Sequence, residues 1–201
     1  MQTAVPPWVP DIETKPAPMP LLVVQSFVNT WESDTGVDLL ADLDEGPRWL
    51  REAGLLQAPA VNLAQVRALR EAIRGLLVAN SGEGEVEPAD LAVLRTEADR
   101  ARPGLVVLDD GVIDLQSGSD DALASLAANV LLIIRDAQRD GSWGRLKACR
   151  NPDCHWAYYD RSHAGRGAWC DMAVCGNRIK NRNLRTRRSA LDDGAGRAGE
   201  R

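Results

Sequence analysis

The sequence predicts an α+β protein: a mainly helical N-terminal domain with a small β-hairpin, then a treble-clef/ribbon-like module built on four cysteines and ending in a basic helix. Three observations predict it. Apolar residues recur at helical spacing through much of residues 21–140, and the period shortens to that of strands near residues 105–115. The only four cysteines fall as two equal pairs, Cys149-x4-Cys154 and Cys170-x4-Cys175, with fifteen residues between them.

Residues 1–20 carry six prolines and little periodicity, so they read as an extended arm. Leu21 to Val28 is an apolar run without turn residues behind it, which favours a buried helix. Short helices are expected over 34–43 and 47–53, the second stopped by Gly54. The next helix, 63–79, places Leu63, Val66, Leu69, Ile73, Leu76 and Leu77 on one stripe behind the capping pair Asn62 and Gln65. Pro88 opens another, to about residue 101. Leu105–Leu108 and Val112–Leu115 flank Asp109-Asp110-Gly111, a hairpin that must lie on the helical body because a lone hairpin is marginal in water. The longest helix follows, from Ser119-Asp120-Asp121 to about Arg139, and Gly141 ends it. Residues 141–144 read as a hinge that few contacts cross, which makes 21–140 a separable domain.

Two short Cys loops of matching length bring four thiolates onto one ion, and an all-sulfur tetrahedron with no open position selects zinc in a structural role. The expected ligands are therefore Cys149, Cys154, Cys170 and Cys175, holding one Zn2+ per chain. A disulfide reading needs an oxidising compartment, and the N-terminal stretch lacks the basic and apolar regions of a secretory signal. Strands are expected at 145–148 and 155–159, with Pro152-Asp153 turning the chain between the first two ligands. Trp156, Tyr158 and Tyr159 either pack around the metal or stack on bases; a small module's need for apolar mass favours packing. His155 reads as a neighbour of the metal shell or a surface residue, and His163 as a loop residue.

The net charge of −5 conceals an asymmetry. Residues 145–189 hold eleven Lys/Arg against three Asp/Glu, whereas the remainder holds 13 against 26, which reads as an acidic body with a separate polyanion-binding end. The last helix, 176–189, has only Ile179 and Leu184 as apolar positions. Its candidate nucleic-acid contacts are Asn177, Arg178, Lys180, Asn181, Arg182, Arg185, Arg187 and Arg188. Arg and Asn can read guanine and adenine edges while the other cations hold phosphates; the competing reading is a solvated basic tail.

Cys175-Gly176-Asn177-Arg178 closes a segment, 145–178, that resembles the CGNR zinc finger of bacterial proteins assigned to transcription regulation. Phe27-Val28-Asn29-Thr30 and Trp49-Leu50-x3-Gly54-Leu55 resemble the ABATE domain that precedes that finger, a domain described as stress-linked and regulatory. The chain departs at Gly165-Arg166-Gly167-Ala168, where such fingers carry a basic run before Trp-Cys. The resemblance implies a bacterial, cytoplasmic and nucleoid-associated regulator. Its finger would bind duplex DNA, its N-terminal domain (21–140) would sense a small-molecule effector or form a homodimer, and a flexible tail would follow from residue 190. The alternative is a zinc-stabilised RNA-binding or protein–protein adaptor without sequence-specific DNA binding. Asn29 and Thr30 line an effector pocket or cap a helix end; Trp31 and Trp49 flank a ligand or pack in the core. With two histidines and no thiol outside the metal set, no catalytic constellation is visible, so an enzyme is not expected. No run reaches membrane-spanning length.

Overall fold

A computed structural model describes residues 6–10, 13–182 and 184–185. Its centre is α1 (Leu21–Val28), all eight residues of which are buried. A helix that is apolar on every side has to be surrounded, and it is. α3 (Leu63–Asn80), α5 (Ala122–Asp140) and α2 (Glu45–Glu52) contribute to the core around it, and α4 (Pro88–Ala101) closes against α3 and α5. The expected caps form. Asn62 accepts from the backbone N–H groups of Ala64 and Gln65, Asp121 accepts from Ala124, and Gly141 leaves α5 in the left-handed conformation that C-terminal glycine allows.

The expected helix over 34–43 is absent. Trp31–Glu32 (β1) and Val37–Asp38 (β2) pair antiparallel, followed by one 3-10 turn at Leu39–Ala41. The local chemistry accounts for this: Thr35 bonds Glu32 through its hydroxyl, Gly36 takes φ 72°, and the Asp38 carboxylate accepts from Leu40 N–H. These three act on the backbone more strongly than any weak helical period in the segment.

β3 (Gly104–Val107) and β4 (Ile113–Gln116) form the expected hairpin, in the register Leu105↔Leu115 and Val107↔Ile113. Contrary to expectation, it does not bury its apolar face. β4 touches α5, while Leu105, Val107 and Ile113 stay exposed.

β5 (Leu146–Ala148) and β6 (Ala157–Tyr159) make the third hairpin, which lies on α3 and α1. Trp143, Leu146, Ala148 and Ala157 belong to the same continuous core as Phe27, Ile73 and Leu126. The expectation that few contacts cross residues 141–144 is therefore corrected: the C-terminal module is built into the helical body. The N-terminal arm straps the two together. Trp8 O accepts the Trp49 indole N–H at 2.8 Å, Lys15 O accepts from Tyr159 N–H at 2.9 Å, and Lys15 Nζ donates to Trp169 O at 2.7 Å. Among the described residues no helix is long and apolar enough to cross a membrane.

Candidate metal centre

β5 delivers Cys149 to the loop that carries Cys154. Cys149 N–H donates to Trp156 O, while Cys154 and His155 N–H both return to Asn151 O, which curls the chain so that both sulfurs face one point. His155 adopts φ 50° to leave that curl. Of the second pair, Cys170 precedes and Cys175 lies within a π-helical turn, Met172–Gly176, whose entry is capped by Asp171 accepting from Val174 N–H. Gly176 sits close to its neighbours: a Cβ there would lie 2.5 Å from Met172 Sδ and 3.2 Å from Trp169 Cδ1, so the exposed Met172 side chain would have to swing away and the indole to give slightly.

All four Sγ atoms lie within 4.8 Å of one another, and the Cys154–Cys170 and Cys170–Cys175 separations are both 3.7 Å. Sulfurs placed ~2.3 Å from a tetrahedral zinc stand ~3.8 Å apart, whereas a disulfide would need ~2.05 Å. The donor set fits one structural zinc with no open position. Its electrostatics agree. A hydrogen bond from the Cys154 thiol lowers Cys149 far below the ordinary thiol range; the same bond raises Cys154 and the Cys149 charge adds to it, while Cys149 and Cys154 together raise Cys170. Four thiolates this close require a cation.

The shell beyond the sulfurs was not legible as such. Asn151, 1% exposed, points Nδ2 at Cys175 Sγ (3.7 Å), and Tyr158 packs on Cys149 and Cys175 with its hydroxyl on Gly167 O at 2.8 Å. Trp156 and Tyr158 are buried and Tyr159 half-buried, as the packing reading expected. His155 is half-buried and gives its carbonyl to Arg74; His163 is exposed.

The helical body holds this loop by its backbone. Asn29 donates to Ala157 O (2.9 Å) and accepts from Ala157 N–H (2.7 Å), so its amide extends the ladder of β6 as a peptide group would. Its remaining donor goes to Glu13, and Thr30 bonds Phe27 O and Arg70. The pair, read as lining an effector pocket or capping a helix end, thus spends its hydrogen bonds inside the protein, with Asn29 at the C-terminal cap of α1. Gln25 also donates to Ala157 O, Ser33 to Cys154 O, and Ser81 to Ala148 O. Arg74 donates to both Val28 O and His155 O and lies over the Trp31 ring. A signal for this was present in the sequence: Arg70 and Arg74 recur at i, i+4 beside the apolar stripe of α3. Trp31 and Trp49 are packing residues, the latter stacked on Phe27 at 6.5 Å.

Asn29→Ala leaves the buried Ala157 N–H without a partner. It is expected to cost about 1–3 kcal/mol in urea denaturation, with zinc content unchanged.

Helical residues 177–182 and 184–185 follow the metal loop. Asn177, Arg178, Lys180, Asn181, Arg182 and Arg185 all lie on it and are exposed, while Ile179 is half-buried; Arg187 and Arg188 lie outside the described residues. Asn177 turns its amide back to Ala173 O. Arg178 pairs with Asp34 of the β1–β2 turn at 2.8 Å, and that carboxylate raises its pKa; Arg182 pairs with Asp153 at 3.2 Å. Sequence reasoning missed both acidic partners, which lie 144 and 29 residues away.

Two family models match this chain: "Putative stress-induced transcription regulator" (ABATE) over residues 23–137, and the CGNR zinc finger over residues 145–188. No curated protein matches it.

Proposed function

Given that this chain belongs to the ABATE family and carries a CGNR zinc finger, hence has a regulatory, metal-binding role, we propose that it is a DNA-binding transcriptional regulator. One observation carries the reading. The zinc loop runs directly into a helix whose described residues present Arg178, Lys180, Asn181, Arg182 and Arg185, in a segment with eleven Lys/Arg against three Asp/Glu. Zinc fixes the first turn, so the cations are presented from a rigid base to duplex DNA. In this reading the protein works without catalysis in the bacterial cytoplasm, at the nucleoid. The helical body grips the metal loop through Asn29, Ser33 and Arg74, so an effector or a second copy acting on that body would reach the finger through these contacts.

The Arg178–Asp34 and Arg182–Asp153 pairs set how the helix meets phosphate. Exposed pairs contribute little to folding, so a phosphate can replace either carboxylate at small cost. Asp34→Asn and Asp153→Asn, which each remove one negative charge beside the helix, are expected to tighten binding to random duplex DNA. Replacing Arg178, Arg182 and Arg185 together by Ala is expected to weaken it and to flatten the slope of log affinity against log salt by up to about 0.9 for each phosphate the variant no longer neutralises. Fluorescence anisotropy over a salt series reads both. An unchanged slope in the triple variant, with zinc still bound, would move the assignment to the adaptor reading, which the two intramolecular pairs favour by neutralising part of the basic face.

A further inference from the structure

Among the described residues, the outer edge of β3 is unguarded. Of the eleven exposed large hydrophobic residues among the described ones, five fall on the β3–β4 hairpin, with Leu105 75%, Val107 73% and Ile113 67% exposed. Leu105, Val107, Ile113 and Leu115 share one face of the register. A two-stranded hairpin is marginal by itself, and an exposed apolar patch of this kind marks an association site.

The hydrogen-bond phase shows which edge is available. Leu108 N–H donates to Val112 O at 2.8 Å, and bonded pairs alternate along an antiparallel ladder. Val106–Asp114 and Gly104–Gln116 are therefore the bonded pairs, and the backbone groups of Leu105 and Val107 point away from β4. On β4 the outward Leu115 N–H is already taken by the Asp114 carboxylate at 2.8 Å, and Leu115 lines a groove with Leu132 and Ile133 of α5. β3 has neither protection. Gly104 to Leu108 contains no charged side chain, while native edge strands are ordinarily blunted by charge, bulge or cover.

We propose that β3 is a dimerisation edge whose occupant is β3 of a second copy of this chain, paired antiparallel across a two-fold axis at Val106. That register sets Leu105 of one copy opposite Val107 of the other, twice, and exchanges four N–H···O=C bonds between the outward-pointing groups. The two apolar faces merge into one on a four-stranded sheet. Pro103, which has no N–H to give, ends the ladder on each side. Charge complementarity singles out a second copy. Beyond Pro103, Arg102 of each chain comes opposite the Asp109-Asp110 turn of the other, and neither the Arg102 nor the Asp109 side chain has a hydrogen bond or ion pair among the described residues. An antiparallel edge pairing brings them together at both ends by symmetry.

The test is sedimentation of the full-length, zinc-loaded protein over a micromolar concentration series. The expected species has twice the 21.8 kDa chain mass. Val107→Pro removes one outward N–H without touching the β3–β4 bonds, and is expected to raise the dimer dissociation constant at least about tenfold. Arg102→Glu and Asp109→Lys are each expected to weaken the dimer, and their combination in one chain to restore it, with helical circular dichroism and zinc content unchanged throughout. A monomer at every concentration, a dimer indifferent to Val107→Pro, or a charge-swapped pair that stays dissociated would each overturn the proposal. The salt slope for DNA, read separately on Val107→Pro, keeps this outcome distinct from the DNA-binding reading.

Discussion

Removing the metal is expected to unfold the zinc module and to loosen the helical body with it. Structural zinc is worth roughly 10–16 kcal/mol in small modules, as much as the entire stability of an ordinary domain, roughly 5–15 kcal/mol. Without it the four sulfurs, held within 4.8 Å, have no cation to keep them together. A free-standing finger would melt alone. Here Leu146, Ala148 and Ala157 sit in the main core, and Asn29, Arg74, Asn80 and Ser81 each hold a backbone group of the module. Loss of the module exposes the face of α1 and α3 and orphans those polar groups, including a nearly buried arginine. Chelation is therefore expected to bleach the near-UV signal of body tryptophans (Trp31, Trp49) together with that of Trp143 and Trp156, in one transition. Cys170→Ser should behave likewise, and a chain ending at Asp140 should bind hydrophobic dyes and melt without cooperativity. A chelated protein that keeps a cooperative helical melt would restore the picture of two separable modules.

The second large effect comes from an ion pair between β5 and the segment that joins the two cysteine pairs. Lys147 Nζ and the Asp160 carboxylate meet at 3.0 Å with side chains only 6% and 4% exposed. Burial alone would raise the Asp160 carboxyl. Hydrogen bonds from Ser162, the Lys147 ammonium and the backbone N–H of Gly167 outweigh it and hold the group well below the usual carboxylate range. Removing one partner of a buried pair strands the other, at about 3–5 kcal/mol, so Asp160→Asn should lower stability by that amount. The sign with pH follows from the lowered pKa. The carboxylate's contribution is fully present above its ordinary value of about 4 and is lost as pH falls through the folded-state value. In parallel urea titrations the gap between wild type and Asp160→Asn should therefore stay constant from about pH 6 to about pH 8, where the carboxylate is ionised and the zinc thiolates are kept. A gap that shrinks on acidification within that window would show that the carboxyl is not held low in the folded state.

Much of this molecule is written in local chemistry. The cysteine spacing identified the metal ligands, because tetrahedral coordination needs little beyond two short loops. Caps and stripes marked α3 to α5, since Asn62, Asp121 and Gly141 act within a turn of their own positions. The β1–β2 hairpin escaped notice because two-residue strands carry no readable period.

What only the tertiary structure decided is who holds whom. Asn29 reads as a polar pair with Thr30 until Ala157, 128 residues away, is brought against it; Arg178 and Arg182 read as nucleic-acid contacts or solvated cations, without carboxylate partners, until Asp34 and Asp153 face them. Residue identity and local spacing determined the metal, the helices and the position of the basic segment. The joining of finger to body depends on hydrogen bonds between positions far apart in the chain, and no local pattern encodes such pairings because each partner is satisfied only once the core has closed.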